Sequence, residues 1–396
     1  MTSKVIVVDN GGGYVRGGFS GQTEPRRSVP NAIARSKRGS DKKLFIGDKI
    51  LHSPIAEYLF LRPSQRGILC DLESQKIIWE HGLFVREKHT GSFPVLADSE
   101  TSTILVTVSP FTPESVRRDI FDVLFKDYRF YRAVLIDSSI CAQFSPGITA
   151  QFTPDDWANP CGLLVDVGFS FATVIPVFQT QLVLKAAQRI PVGGRILNNL
   201  LKERLAYLQV DLDDNPLLVQ HIRETVCEVA PYGLKQALTS SPTTVGYLLP
   251  EFSNDGGPFV GKLVDQFTPI PPGSQAVKIG SDRFTIPEAL FNPLTFGIDS
   301  LGIVEAIVRS INLCDPSIRK CLAQKIILFG GTAMTRGFIE RLRNELESNL
   351  SFPARILTEQ DGRIDLTVWR GASQIASNED DLSFFDAIFR EDWSRI

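Results

Sequence analysis

The sequence predicts an α/β protein whose 396 residues divide between two domains. Three observations predict it. Residues 5–8 are apolar and run into Asp9, Asn10 and three glycines, Gly11, Gly12 and Gly13, before a return run reaching Gly17, Gly18 and Phe19. Residues 162–178 repeat the plan: an apolar run ends in Asp166, Gly168 follows, and a strand-like run returns. A third apolar run enters Gly330, Gly331 and Thr332, after which Phe338, Leu342 and Leu346 recur at helical spacing. Apolar runs closed by glycine turns read as buried strands, and the later recurrence as a helix. A chain of this length is expected to split into more than one unit.

The turns suit anion binding as well as chain reversal. Glycine lets backbone N–H groups approach an anion with no Cβ in the way. Asp9 and Asp166, at strand ends, are placed to hold Mg2+ through its water shell, and Arg16 to reach a phosphate. Taken alone, the first turn reads equally as an ordinary Asx-Gly hairpin. The second copy moves the reading toward a paired site.

Composition narrows the class. Hydrophobic residues at 43% and charged residues at 22% are globular values. A net charge of −3 and a pI near 5.9 exclude a global field for nucleic acid or acidic lipid. No apolar run reaches the roughly 18 residues of a membrane span, and the N-terminus lacks a signal-peptide pattern. Cys70, Cys141, Cys161, Cys227, Cys314 and Cys321 form no close pairs, so reduced, unpaired thiols in an intracellular protein are expected. His52, His81, His89 and His221 show no metal-ligand spacing.

The elements follow in order. Residues 36–43 form a basic stretch and are expected to be an exposed loop. Residues 75–81 read as a short amphipathic helix anchored by Trp79, and residues 104–108 as a strand. Thr112 and Pro113 suit the N-cap and first position of a helix whose Val116, Ile120, Val123 and Leu124 share a face. Residues 133–136 are another strand. Residues 148–159 are a polar-aromatic insertion, expected at the hinge between halves. Gly193 and Gly194 open a helix with Ile196, Leu197, Leu200, Leu201 and Leu205 inward, and a further helix carries Ile222, Arg223, Glu224 and Val226. Residues 250–274, rich in Gly and Pro, read as a surface excursion, with order resuming at Phe284. The acidic, aromatic tail 378–396 reads either as a docking tail or as a terminal helix.

Two strand–Asp–Gly turns followed by a strand–GGT–helix turn resemble the actin-like ATPase superfamily. Residues 281–337 resemble actin itself: Arg283-Phe284, Pro287 to Phe291, Pro293, Gly297, Ser300, Gly302-Ile303, Cys314-Asp315, Ile318-Arg319-Lys320 and Gly330-Gly331-Thr332. Arg66 to Leu69, Trp79, Trp369, Gly371 and Ser373 extend the likeness collinearly. The resemblance implies an actin fold, with two similar α/β domains flanking a nucleotide cleft. The first domain would comprise 1–147 plus 358–396, with a small basic subdomain near 22–70, and the second 148–357, with the excursion at 250–274.

The same resemblance implies a nucleotide site, ATP with Mg2+, the alternative being an empty, vestigial cleft. Its residues would be Asp9, Asn10, Gly11, Gly12, Gly13, Arg16, Asp166, Gly168, Ser170, Arg223, Glu224, Gly330, Gly331 and Thr332, with Asp9 and Asp166 holding the metal through water. This chain departs from the actin pattern in places. Gly12 replaces a phosphate serine and Arg16 a lysine, a fork in place of a point charge. Phe169, Ser170 and Phe171 replace an acid, a glycine and the residue after it, and two aromatics there are expected to crowd the phosphate pocket. Actin orients its attacking water with a glutamine and a histidine. Those positions fall near Ser138, with Gln143 a rival, and on Thr173, which are poor water-orienting groups. No catalytic residue is assigned and hydrolysis is expected to be negligible.

Within the family, VDVGFSF at 165–171, RIPVGGRILNNLLKE at 189–203, YLLPEFS at 247–253 and REDW at 390–393 resemble the actin-related protein 6 family. That likeness implies a nuclear, non-filament scaffold subunit, with some cytoplasmic protein, in a Swr/SRCAP-type remodeller that exchanges a variant histone into nucleosomes. Its partners would be the motor ATPase, accessory subunits and, indirectly, histones. The alternatives are an ATP-binding cytoskeletal actin relative with weak ATPase activity, a small-molecule kinase, and an actin relative of a motor or nucleation complex. Residues 34–43, with Arg35, Lys37, Arg38, Lys42 and Lys43, argue against stacking of identical subunits, since unpaired charges are costly to desolvate.

Overall fold

Two β-sheets, each built around a glycine turn, face one another across a cleft. The computed structural model describes residues 5–36, 44–51, 58–84, 99–240, 244–250, 260–264 and 269–393. The first sheet runs, in spatial order, Ile388–Phe389, Arg132–Asp137, Thr103–Val108, Ile6–Asn10, Tyr14–Phe19 and Arg27–Pro30. The second runs Gln181–Leu182, Ala172–Phe178, Cys161–Val167, Ile326–Phe329 and Ile356–Leu357, with Gln188–Ile190 also on Ala172–Phe178. In each, the turn-bearing strand has an antiparallel hairpin partner on one side and a parallel strand on the other. Parallel strands covered on both faces read as unbroken apolar runs, and every residue of Thr103–Val108 and of Ile326–Phe329 is buried. Three small antiparallel sheets are added among the described residues: Ile33–Ser36 with Leu44–Ile46 and Tyr58–Leu61, Val245–Leu248 with Lys262–Val264 and Ala276–Ile279, and the two-stranded Ser64–Gln65 with Ile68–Leu69.

Several local expectations are corrected. The helix near residue 114 spans Glu114–Asp122, with Pro113 as an extended N-cap and no side-chain cap from Thr112. The Trp79 helix starts earlier, at Leu72–Ile78, because Asp71 caps it by accepting from the Ser74 N–H. A π-helical turn, Trp79–Leu83, then carries the buried indole. The excursion is not structureless: Lys262–Val264 pairs with Val245–Leu248, so order resumes well before Phe284. Cys161 and Cys321 are joined as a disulfide, against the expectation of six free thiols. Linear spacing carries no hint of it, because the pair is 160 residues apart and meets where a strand start lies beside the helix Pro316–Gln324. The basic stretch 37–43 lies outside the described residues.

The insertion at 148–159 folds. Its helix Pro154–Ala158 is closed by a capping box between Thr153 and Asp156. Asp156 pairs with Arg355, and its carbonyl accepts from Lys325 Nζ at 2.8 Å. Both partners belong to the second lobe, so the insertion is fixed to that lobe.

The tail packs on its own chain. Ile388–Phe389 extends the first sheet beside Arg132 and Ala133. The Trp393 ring lies 5.1 Å from Phe121 and 6.0 Å from Phe125, and its Nε1–H donates to Asp122 Oδ1 at 2.8 Å. Phe384 stays 68% exposed and Phe389 36%, so the tail is a strand-and-helix brace with two open aromatics among the described residues. Trp393→Ala is predicted to lower stability by about 2 kcal/mol, less than the cost of a fully buried Trp because one face meets solvent. Urea denaturation followed by circular dichroism measures it.

Candidate functional site: a cleft between two glycine turns

Strand register sets the chemistry of each turn. On the first, Asp9 lies opposite Arg16 across the hairpin and beside Thr107 on the parallel strand. Arg16 Nη1 therefore reaches Asp9 Oδ2 at 3.3 Å, and the Thr107 hydroxyl donates to Asp9 Oδ1 at 2.8 Å. The other Arg16 amine, Nη2, pairs with Asp365 at 2.9 Å, and Asp365 in turn takes Arg363 at 3.0 Å. Burial pushes the Asp9 carboxyl up, opposed by Arg16 and Thr107. Burial acts on Asp365 in the same direction, but Arg363 and Arg16 outweigh it and hold that carboxyl below its usual value.

The second turn has the same backbone plan and different neighbours. Asp166 lies opposite Thr173 and beside Phe329, neither of them charged. Among the described residues it has no cationic partner. Burial, and then the Asp9 charge facing it, push its carboxyl from 3.8 up to about 7.

The cleft encloses a cavity of about 490 Å³. Every residue assigned to the site from the sequence lines it: Asp9 to Gly13, Arg16, Asp166, Gly168, Ser170, Arg223, Glu224, Gly330, Gly331 and Thr332. At one end Arg223 donates through Nε to Asn198 Oδ1 at 2.6 Å and through Nη2 to Glu224 at 2.9 Å. Gln220 donates to the same Glu224 carboxylate at 3.0 Å, while its own carbonyl oxygen is buried without a partner among the described residues. Thr332 Oγ1 donates to the Gly168 carbonyl at 2.8 Å and so ties the third turn to the second.

Phe169 and Phe171 do not fill the cavity. They line its wall and pack onto the facing lobe. The Phe169 ring lies against Gly13 and under the Arg62 guanidinium, 4.4 Å from its centre. Phe171 sits over Gly67, where a Cβ would overlap the ring, and Arg189 stacks on it at 4.4 Å. Arg189 also donates to the Arg66 carbonyl. Between the two rings, the Ser170 hydroxyl occupies the space a Cβ on Gly12 would need.

Of the positions matched to water-orienting groups, Ser138 lines the cavity. Gln143 is at the other end of the same short helix, Ser138–Gln143, and its buried Nε2 has no partner among the described residues. Thr173 is buried within its strand and does not line the cavity.

The actin family profile matches residues 1–217 and 213–385. The chain belongs to the actin family. It is 29% identical to the actin-related protein 6 of Oryza sativa subsp. indica, over 96% of this chain and 93% of that one. Against the actin-related protein 6 of Arabidopsis thaliana the identity is 29%, over 96% and 94%. Against that of Drosophila melanogaster it is 27%, over 99% and 97%.

Sequence reading missed Asp365, Arg62, Asn31 and Thr107. Arg16 and Asp365 are 349 positions apart, and no local pattern marks either as the other's partner. Thr107 is legible in the sequence only as part of an apolar strand.

The Asp166 carboxyl carries a pH consequence. Its folded value, about 7, lies above the ordinary 3.8, so the native state holds a proton that the unfolded chain has lost. Stability from this group is complete below the ordinary value and is lost as pH rises through about 7. Asp166→Asn is predicted to raise the melting temperature at pH 8 and to change it little at pH 4. Paired thermal melts at the two pH values measure this.

Proposed function

We propose that this chain is a nuclear, non-filament actin-related protein, with a cytoplasmic fraction. It would serve as a scaffold subunit of a Swr/SRCAP-type remodeller that exchanges a variant histone into nucleosomes. The motor ATPase and accessory subunits would be its direct partners, and histones indirect ones. The near-full-length likeness to the actin-related protein 6 of a plant and an insect supports this reading.

The cleft is proposed to hold ATP with Mg2+ as a structural cofactor. The residues present fit that group. Four cavity-lining carboxylates, Asp9, Asp166, Glu224 and Asp365, face two guanidiniums, Arg16 and Arg223, so a bare polyphosphate is disfavoured and a cation-bearing one is matched. Asp166, unpaired by any cation among the described residues, faces Asp9 across the floor, and the two would hold Mg2+ through its waters. The metal would neutralise phosphate charge. The glycine turns would donate N–H groups to the phosphates, and Glu224 with Gln220 would offer acceptors at the nucleoside end.

The groups at the water-orienting positions support a reading of little or no turnover. Ser138 lines the cavity where a water-orienting amide would be needed, and Thr173 is buried away from it. Neither is a good water-orienting group for phosphoryl transfer.

Mg-ATP is predicted to stabilise the purified chain by about 2.7 kcal/mol at a hundredfold excess over its Kd, read as a melting shift. Phosphate release should stay at background, and the protein should remain in the supernatant after ultracentrifugation with Mg-ATP and salt. Affinity purification from nuclear extract should recover a remodeller motor subunit. Phosphate release abolished by Asp9→Ala, pelleting into polymer, or recovery of cytoskeletal partners alone would each contradict the proposal.

A further inference from the structure

Arg62 follows the strand Tyr58–Leu61 and brings its guanidinium to the outer side of the first glycine turn. Its Nη1 donates to the carbonyls of Gly12 and Gly13, each at 3.4 Å, and of Asn31 at 3.3 Å. Asn31 is fully buried and works on the same turn. Its side-chain amide donates to the Gly11 carbonyl at 2.9 Å, and its backbone N–H to the Gly13 carbonyl at 2.9 Å. The buried Gln75 steadies Asn31, its Oε1 accepting from Asn31 Nδ2 at 3.3 Å. Three successive carbonyls are therefore held from behind.

A trans peptide sets its N–H opposite its carbonyl. With the Gly11 and Gly12 carbonyls turned outward, the N–H groups of Gly12 and Gly13 are turned toward the cavity. Among the described residues neither N–H donates to a protein oxygen. Successive free N–H groups on one side of a turn make an anion nest, and buried backbone donors seek a partner.

Arg62 itself has no carboxylate partner among the described residues. Its neighbours are carbonyls, the Phe169 ring, the Tyr14 phenol and a second cation, Arg195. Burial pulls the guanidinium down to about 10, which leaves it charged at neutral pH. The same side chain thus touches both turns: the carbonyl side of the first and the ring of the second. Ser170, next to Phe169, is held over Gly12 with its hydroxyl facing the cavity and unpaired among the described residues.

We propose that Arg62, backed by Asn31, is the positioning residue of a polyphosphate site, turning the first glycine loop into an anion nest without touching the anion. This inference rests on the reading of the cleft as a nucleotide site and assigns the phosphate end of that ligand to a nest organised from outside. The positive charge of Arg62 adds to the field at the nest, and its flat face fixes how far Phe169 and Ser170 lie from the first loop.

The test is calorimetric titration of the full chain with three probes: Mg-ATP, Mg-tripolyphosphate and adenosine. Arg62→Ala should weaken both phosphate probes about tenfold, the size of one lost hydrogen-bond contribution, and leave adenosine within about twofold. Arg62→Lys, which can still donate to carbonyls, should recover part of the loss. Amide exchange over residues 9–16 should slow when Mg-tripolyphosphate is added to the wild type, and should not slow in Arg62→Ala. Should Arg62→Ala fail to fold, Phe169→Leu removes only the stack and should give a smaller, phosphate-selective loss. Unchanged phosphate affinity in Arg62→Ala or, with that variant unfolded, in Phe169→Leu would overturn the inference while leaving the nucleotide reading intact. So would an equal loss for adenosine, which would mean general damage. A wild type that binds neither phosphate probe would remove the nucleotide reading, and this inference with it.

Discussion

The arrangement of the cleft depends on one close approach. Three consecutive side chains of the second turn, Phe169, Ser170 and Phe171, each sit over a glycine of the opposite lobe: Gly13, Gly12 and Gly67. None of these contacts survives a Cβ at the glycine without movement, and Gly67 also has φ of +75°. Two guanidiniums close the contact from outside, Arg62 on Phe169 and Arg189 on Phe171. Stacked guanidiniums and rings add attraction that tolerates a wet cleft edge. The lobes therefore meet through protein groups, and the cavity lies behind that contact.

The two turns show how one backbone plan yields two electrostatic environments. Both aspartates end a strand flanked by a hairpin partner and a parallel neighbour. Register hands Asp9 an arginine and a threonine, and Asp166 a threonine and a phenylalanine. Both carboxyls are pushed up by burial, but among the described residues only Asp9 has a cation to oppose it. The result is a cleft floor with one acid paired to a guanidinium and one that, among the described residues, has no cation beside it.

From Asp9 a chain of ion pairs leads toward the crossing between lobes. Arg16 joins Asp9 to Asp365, Arg363 joins Asp365 to Glu24 at 3.9 Å, and Arg370 joins Glu24 to Asp361 and Glu359. Glu359 accepts from the Ser145 hydroxyl, beside the folded insertion. The Arg370–Glu359 pair, whose carboxylate is 3% exposed, is where this network is driest. The outer pairs, half in solvent, contribute little each. The network fixes the return segment 358–366 against the first lobe, and with it Asp365 in the cleft.

The α/β class, the three glycine turns and the cleft residues on those turns can be read along the chain, whereas Thr107 and Asp365, which also line the cleft, cannot. The legible features are local properties: apolar runs specify buried strands, and glycine after a strand-ending acid specifies a tight turn wherever it occurs. The sequence also located Trp79 as an anchor, whose indole N–H donates to Asn10 Oδ1 at 3.2 Å. What each of those residues meets is set by packing between distant segments. Arg16 reads as a phosphate contact and is held between Asp9 and Asp365. Phe169 and Phe171 read as obstructions and are contacts between lobes. Cys161 reads as free and is paired. The tail reads two ways, and it extends a sheet. Each case turns on partners brought together by strand register or lobe packing, often more than a hundred residues apart, and side-chain environment is a property of that packing, which local sequence does not encode.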